Sequence, residues 1–208
     1  MAPFEAGKRI KYGGFGQSNY KSREISEALK KLQQAMLLNL LYPTTSVMIP
    51  AQRNRRKAPR LQFLDTGLIN HAVGLQGQFF EHSELHAIHR GLLAEHIVGQ
   101  ELLCYSPAHN TPLFWVRQKN QSTAEVDYLI HHRAKLIPIE VKAGKTGTLR
   151  SLHQFMDQCP HAYAIRLHNQ GPHVTDVRTP AGKSFKLLNM PYFLVSQIPA
   201  YLDWLMGG

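Results

Sequence analysis

Two cysteines in 208 residues, Cys104 and Cys159, are too few for a disulfide framework or a four-cysteine zinc site. Both stand in apolar stretches and read as buried, reduced thiols. No apolar run approaches the roughly 18 residues that span a bilayer. The opening Met-Ala-Pro-Phe-Glu-Ala-Gly-Lys has no signal-type apolar segment, so no membrane partner is expected and the cytoplasm is the expected location. The chain also lacks internal repeats, low-complexity tracts and a Gly-x-Ser-x-Gly elbow. Acidic groups are scarce, and unevenly so. Against 24 Lys+Arg there are 14 Asp+Glu, giving a formal net charge of +10. Residues 1–60 hold 12 basic groups and 3 acidic ones, a net of +9, while residues 61–208 hold 12 and 11, a net of +1. A positive field confined to the first third points to a polyanionic partner, nucleic acid first and an anionic membrane surface second.

What is present is enough for a packed core: 43% of residues are apolar and 18% charged. Residues 1–20, rich in Gly and polar groups, read as an irregular arm. Ser22 is a plausible N-cap, and Ile25, Ala28, Leu29, Leu32, Met36 and Leu40 recur at helical steps, so a basic helix is expected to run until Pro43. Short strands are expected at Thr45–Ile49 and Arg60–Leu64, joined by the basic loop Gln52-Arg53-Asn54-Arg55-Arg56-Lys57. A helix followed by a hairpin with a basic tip outlines a winged-helix segment. Its candidate nucleic-acid contacts are Arg53, Arg55, Arg56 and Lys57 on the wing and Lys30 and Lys31 on the helix; the plainer alternative is a solvated hairpin tip.

After a glycine-bearing connector at 65–82, a second long helix is expected from about Ser83 to Cys104. Strands follow at Leu113–Arg117, Glu125–His131 and Leu136–Val141, then a helix at Thr148–Gln158 and a strand at Ala162–Leu167. Another strand near Val174 and a final amphipathic helix at Ser196–Met206 complete the pattern. The order makes residues 83–180 an α/β sandwich, preceded by an arm and winged-helix segment at 1–64 and followed by a strand and helix at 181–208.

The chemistry concentrates in Glu125-Val126-Asp127-Tyr128-Leu129-Ile130 and Ile137-Pro138-Ile139-Glu140-Val141-Lys142. Strand alternation places Glu125, Asp127 and Leu129 on one face, and Glu140 with Lys142 on one face of the next strand. Hairpin pairing would set Asp127 beside Glu140. Two carboxylates and an ammonium so close are costly unless a cation lies between them. Mg2+ suits such a place, taking one or two carboxylates plus waters and phosphate oxygens, with the Val141 carbonyl as a further ligand. Lys142 would orient a water or neutralise developing charge. Glu95 stands mid-helix among apolar residues, at a spacing that can turn it toward the sheet, and Gln154 could add a polar group.

Glu95 on a helix, then Asp127, then Glu140-Val141-Lys142, resembles the restriction-endonuclease-like superfamily with its PD-(D/E)xK pattern. Four stretches resemble, more narrowly, the uncharacterised domain at the C-terminus of many prokaryotic AAA-superfamily ATPases: Lys57-Ala58-Pro59-Arg60 through Asp65-Thr66-Gly67-Leu68, Gly91–Glu95, Glu125–Ile130 and Ile137–Gly144. The resemblance covers about Lys8 to Val177. It implies a restriction-endonuclease-like α/β/α sandwich behind a partial winged helix, with catalytic positions at Glu95, Asp127, Glu140 and Lys142. It further implies Mg2+ or Mn2+ held by Asp127, Glu140, Val141 and Glu95, DNA as substrate, and an ATPase module in the same longer protein. Val126, not Pro, precedes Asp127. No ATP site is expected here, because Gly144-Lys145-Thr146 has Ile139 where a phosphate loop needs its first glycine.

Other readings remain open. The domain could be a non-catalytic DNA-binding module of the ATPase, or a protein-interaction module. His82 and His86 have the i, i+4 spacing of a zinc pair, but the intervening Glu is one place late and no third ligand is indicated among His89 and His96. His131 and His132 are expected at an exposed turn.

Overall fold

A computed structural model describes residues 9–72, 85–105, 111–117, 124–142 and 148–207. The basic helix α1 (Ser22–Gln34) begins one residue after Lys21, whose N–H donates to the Glu24 carboxylate at 2.7 Å, so Ser22 is the first helical residue and not the cap. The helix also ends earlier than its apolar repeat suggests. Met36 turns into the left-handed region at φ 57°, and Leu38–Leu41 becomes strand β1. The apolar run from Leu37 fits either period, and pairing across the fold decides it.

Strand β2 (Pro43–Thr44) follows at once, and β3 (Arg60–Phe63) lies antiparallel to β1, with Leu38 opposite Phe63 and Leu41 opposite Arg60. The hairpin expected between Thr45–Ile49 and Arg60–Leu64 therefore does not form, since β3 pairs with β1. Thr45–Ile49 is not a strand, and the basic segment lies in the connection from β2 to β3. That connection is compact: the Asn54 N–H donates to the Pro43 carbonyl at 2.7 Å, and Val47, Ile49 and Ala51 pack onto the main core. Residues 9–10 of the arm run beside β3, with Arg9 bridged to Arg60 and the Ile10 N–H donating to Pro59 O at 2.8 Å. Ile10, Leu29, Leu38, Leu40 and Leu61 close a small core of their own.

The connector contains α2 (Thr66–Ala72), and α3 (Leu85–Tyr105) is the second long helix. Next come β4 (Leu113–Val116), β5 (Glu125–His132), β6 (Lys135–Val141), α4 (Arg150–Met156) and β7 (Tyr163–His168), the order read from the sequence. Then β8 (His173–Arg178), β9 (Ser184–Pro191) and α5 (Ile198–Leu205) follow. Among the described residues, seven strands form one mixed sheet in the order β2-β4-β5-β6-β7-β9-β8. It draws β2 from the first third of the chain and β9 from the last. Val98 and Leu102 of α3 pack with Ile198 and Leu202 of α5 on one face, while Leu152, Phe155 and Met156 of α4 cover the other. The protein is thus a mixed α/β fold with helices on both faces of the sheet.

Two local devices shape β5. The turn to β6 is the two residues Arg133-Ala134, both left-handed at φ 41° and 58°, as the tightest right-twisting hairpins require. Near its start, β5 bulges: Trp115 faces Val126 but Leu113 faces Leu129, so three steps on β5 match two on β4. Strict alternation fails there. Val126 and Leu129 enter the α4-side core, while Tyr128 and Ile130 join the α3 side, so Leu129 does not share a face with Asp127 by simple alternation.

A buried polar clamp ties β3 to α3 and β5. Gln62 Nε2 donates to the His96 carbonyl at 2.9 Å, and His96 Nε2 lies 2.9 Å from the Phe63 carbonyl, which can only accept. Tyr128 donates to the Glu95 carbonyl at 2.9 Å with Gln62 Oε1 3.3 Å away. Gly99 permits this, because a Cβ there would fall inside contact distance of both Gln62 Oε1 and the Tyr128 hydroxyl. Gly99→Ala is expected to destabilise the fold by about 1–3 kcal/mol despite alanine's better helix propensity, measured by chemical denaturation. An unchanged or higher stability would mean the clamp can yield.

Candidate functional site

The candidate residues meet where β5 and β6 part. Glu125 and Val126 pair with β4, whereas the ladder to β6 begins at Tyr128 opposite Ile139. In the gap, the Val141 N–H donates to Asp127 Oδ2 at 2.8 Å, so a carboxylate takes the place of a ladder partner. On the other edge, the Lys142 N–H donates to Leu167 O of β7 at 2.8 Å. Because a trans peptide sets C=O and the next N–H in opposite directions, the Val141 carbonyl points back toward β5 and Asp127.

Glu140 is 5% exposed. Its Oε1 is 2.6 Å from Lys142 Nζ, and its Oε2 is buried without a hydrogen-bond partner among the described residues. Burial, then the charge of Asp127, pushes the Glu140 carboxyl up to about 8 despite Lys142. Burial opposes the charge of Lys142, but Glu140 outweighs it and holds the ammonium above its ordinary value. Two of the expected groups, Asp127 and Glu140, thus stand together with Lys142 and the Val141 carbonyl.

Glu95 is held differently. Arg60, 6% exposed on β3, sends Nη1 to Glu95 Oε1 at 2.8 Å and to the Asp127 carbonyl at 3.1 Å. Its Nε donates to Glu125 Oε1 at 2.7 Å, and its Nη2 lies 3.8 Å from Asp127 Oδ1. The guanidinium also lies over the Phe114 ring, 4.6 Å from its centroid, and Arg9 adds a contact to Glu125 at 3.3 Å. Burial works against this charge, but Glu95, Glu125 and Asp127 together raise the Arg60 pKa above its ordinary value. Burial pushes Glu95 up to about 7; Arg60 opposes this, and Asp127 and Glu125 add to it. Among the described residues, no three His, Cys, Asp or Glu side chains are arranged to hold a metal ion. Glu95 is an ion-pair partner in this arrangement and not a converging ligand.

Arg60, Glu125 and Arg9 escape a reading by motif spacing, since Arg60 is 35 residues before Glu95 and 67 before Asp127. One signal could have found them: a core holding four carboxylates and one lysine needs a further cation. The basic set is not drawn in. Arg53, Arg55 and Arg56 are exposed, as are Lys30 and Lys31, while Lys57 is half-buried. Partial burial and then neighbouring Arg55 lower the Arg53 pKa. Gln154 bonds Arg117 at 3.1 Å instead of the carboxylates.

Of the histidines, buried His96 is pushed down to about 4 and serves the clamp. His82 lies outside the described residues, as do the side chains of His86 and His89. His131 is exposed as expected, but His132 is half-buried and bonds Asp203 at 3.0 Å. Cys159 is buried, but Cys104 is exposed, contrary to the reading from its apolar neighbours, since helix periodicity turns it outward. No described helix is long and apolar enough to cross a membrane.

The raised carboxyls carry a pH signature. In the unfolded chain they titrate near 4.3, so the folded state holds more protons between that pH and about 8, and stability falls as pH rises through this range. His96, depressed in the fold, has the opposite slope, but its contribution is complete above about 6.5. Without divalent cations, Tm is expected to drop by roughly 3–6 °C from pH 6.5 to 8.5, and Glu140→Gln should flatten that slope. An identical slope in the variant would contradict the assignment.

Comparison with known families divides the chain in two. Residues 1–78 match a domain of unknown function, DUF8612. No curated protein matches the chain. Residues 90–192, which include Glu95, Glu125, Asp127, Glu140 and Lys142, match the domain of unknown function DUF4143.

Proposed function

We propose that this chain is the nucleic-acid-associated region of an AAA-type ATPase, with a restriction-endonuclease-like core that hydrolyses DNA phosphodiesters with Mg2+ or Mn2+. The observation that carries it is the gap between β5 and β6. There Asp127, the buried Glu140 Oε2, unpartnered among the described residues, and the inward-turned Val141 carbonyl stand beside Lys142. This donor set fits a hard cation, since Mg2+ accepts one or two carboxylates and completes its shell with water and phosphate oxygens. When bound, the ion would neutralise phosphate charge and lower the pKa of a coordinated water. Asp127 and Glu140 hold it. Lys142, half-buried and tethered to Glu140, presents its ammonium to the reacting phosphate. The segment α1, β1 and β3 serves as a partial winged helix, and Arg53, Arg55, Arg56 and Lys57, with Lys30 and Lys31, contact the DNA backbone.

A second reading, a non-catalytic DNA-binding module regulating the ATPase, is favoured by one observation: Arg60 already neutralises Glu95 and Glu125. Cleavage assays separate the two. Mg2+- or Mn2+-dependent cutting of DNA that falls by at least about 100-fold in Asp127→Ala and Lys142→Ala supports catalysis. Undiminished cutting by Asp127→Ala removes this site from consideration, and salt-sensitive binding with no cutting selects the second reading. Under either, replacing Arg53, Arg55 and Arg56 with Gln should lower DNA affinity and shallow its dependence on salt. Equal affinity and slope would show that the basic loop is not the contact.

A further inference from the structure

We infer that Arg60 is an internal counter-ion standing where a divalent cation could stand, and that it masks Glu95 and Glu125 from the metal site at Asp127 and Glu140. The inference rests on the cation-binding part of the proposed function.

Four carboxylates, Glu95, Glu125, Asp127 and Glu140, crowd one end of the sheet. Like charges at such spacing repel unless cations divide them. Lys142 serves Glu140 at 2.6 Å. Arg60 serves the others: its three nitrogens reach Glu95, Glu125 and both the side chain and carbonyl of Asp127. A divalent cation would ask the same of these oxygens, but at closer range and from one point. The planar fork instead spreads them along its length, which explains why the described carboxylates do not converge as a three-ligand set. Glu140 Oε2 is the acceptor that neither cation satisfies, in a side chain only 6% exposed.

Arg60 is not free to leave. Its strand is paired to β1, its ring contact is Phe114, and the clamp from Gln62 and His96 fixes the next turn of chain against α3. The residue comes from the segment matching DUF8612, whereas all four carboxylates lie in the segment matching DUF4143. One segment therefore sets how many cations the other can hold. Arg60 acts through the carboxylates it positions, so it is a positioning residue.

Mn2+ titration of the whole chain by calorimetry, with thermal melts in chelator and in Mn2+, tests this. The native chain should bind one Mn2+. Arg60→Met, which exposes Glu95 and Glu125, should bind Mn2+ at least 10-fold more tightly or take up a second ion, and its Tm should rise more with Mn2+ than the native Tm does. A purely structural arginine would give weaker or equal binding. Arg60→Met/Glu125→Met removes a matched pair of charges and is the alternative if the single variant does not fold; released Glu95 should still tighten Mn2+ binding at least 10-fold. Folding of either variant only in Mn2+ supports the inference, and failure of both variants to fold even in Mn2+ overturns it. Equal or weaker Mn2+ binding by the folded variants overturns it while leaving a native Mn2+ site intact. A native chain that binds no Mn2+ beside a variant that does would sink the metal site of the proposed function and leave the masking role standing.

Discussion

The ion-pair hub at Arg60 holds together what the rest of the structure needs in one place. A guanidinium buried on β3 meets Glu95 from α3 and both Glu125 and Asp127 from β5. Removing one partner from such a set leaves an uncompensated buried charge, which costs about 3–5 kcal/mol, so the elements it joins are not independently placed. The clamp of Gln62, His96 and Tyr128 across Gly99 works on the same joint from the uncharged side. Together they dock the small core of Ile10, Leu29, Leu38, Leu40 and Leu61 against the main sheet.

Beside that hub, the site is made by a departure from regular pairing. The bulge in β5 and the late start of its ladder to β6 free Asp127 from strict alternation and let it accept the Val141 amide. A regular hairpin would satisfy that amide with backbone and leave the carboxylate pointing elsewhere. Glu140 is buried there with one oxygen unpartnered among the described residues, and burial raises its pKa. The basic loop occupies a different place: Arg53, Arg55 and Arg56 are exposed and Lys57 is half-buried.

The run α3, β4, β5, β6, α4, β7 was legible because its apolar periods are long, and the pairing of β5 with β6 follows from a short turn. Asp127 and Glu140 were placed beside one another by that register. Less was legible in the first third. Leu37–Leu41 is apolar enough for either a helix or a strand, and β1 forms because β3 is there to pair with it. The strand expected at Thr45–Ile49 does not form for the same reason, since β3's partner comes from before that segment. Helical spacing turns Glu95 inward, but its partner Arg60 lies 35 positions away.

The sequence by itself determined the uneven charge, the mixed α/β order and the spacing that brings Asp127, Glu140 and Lys142 together, because these are local properties of period and composition. Only the tertiary structure decided where Arg60 goes. Counted in the sequence, it is one of the 12 basic residues behind the +9 of the first third. In the fold it is 6% exposed and spent on Glu95, Glu125 and Asp127. A charge reaches solvent or a counter-ion according to what packs around it, and packing over a separation of 67 residues is not written in any local pattern.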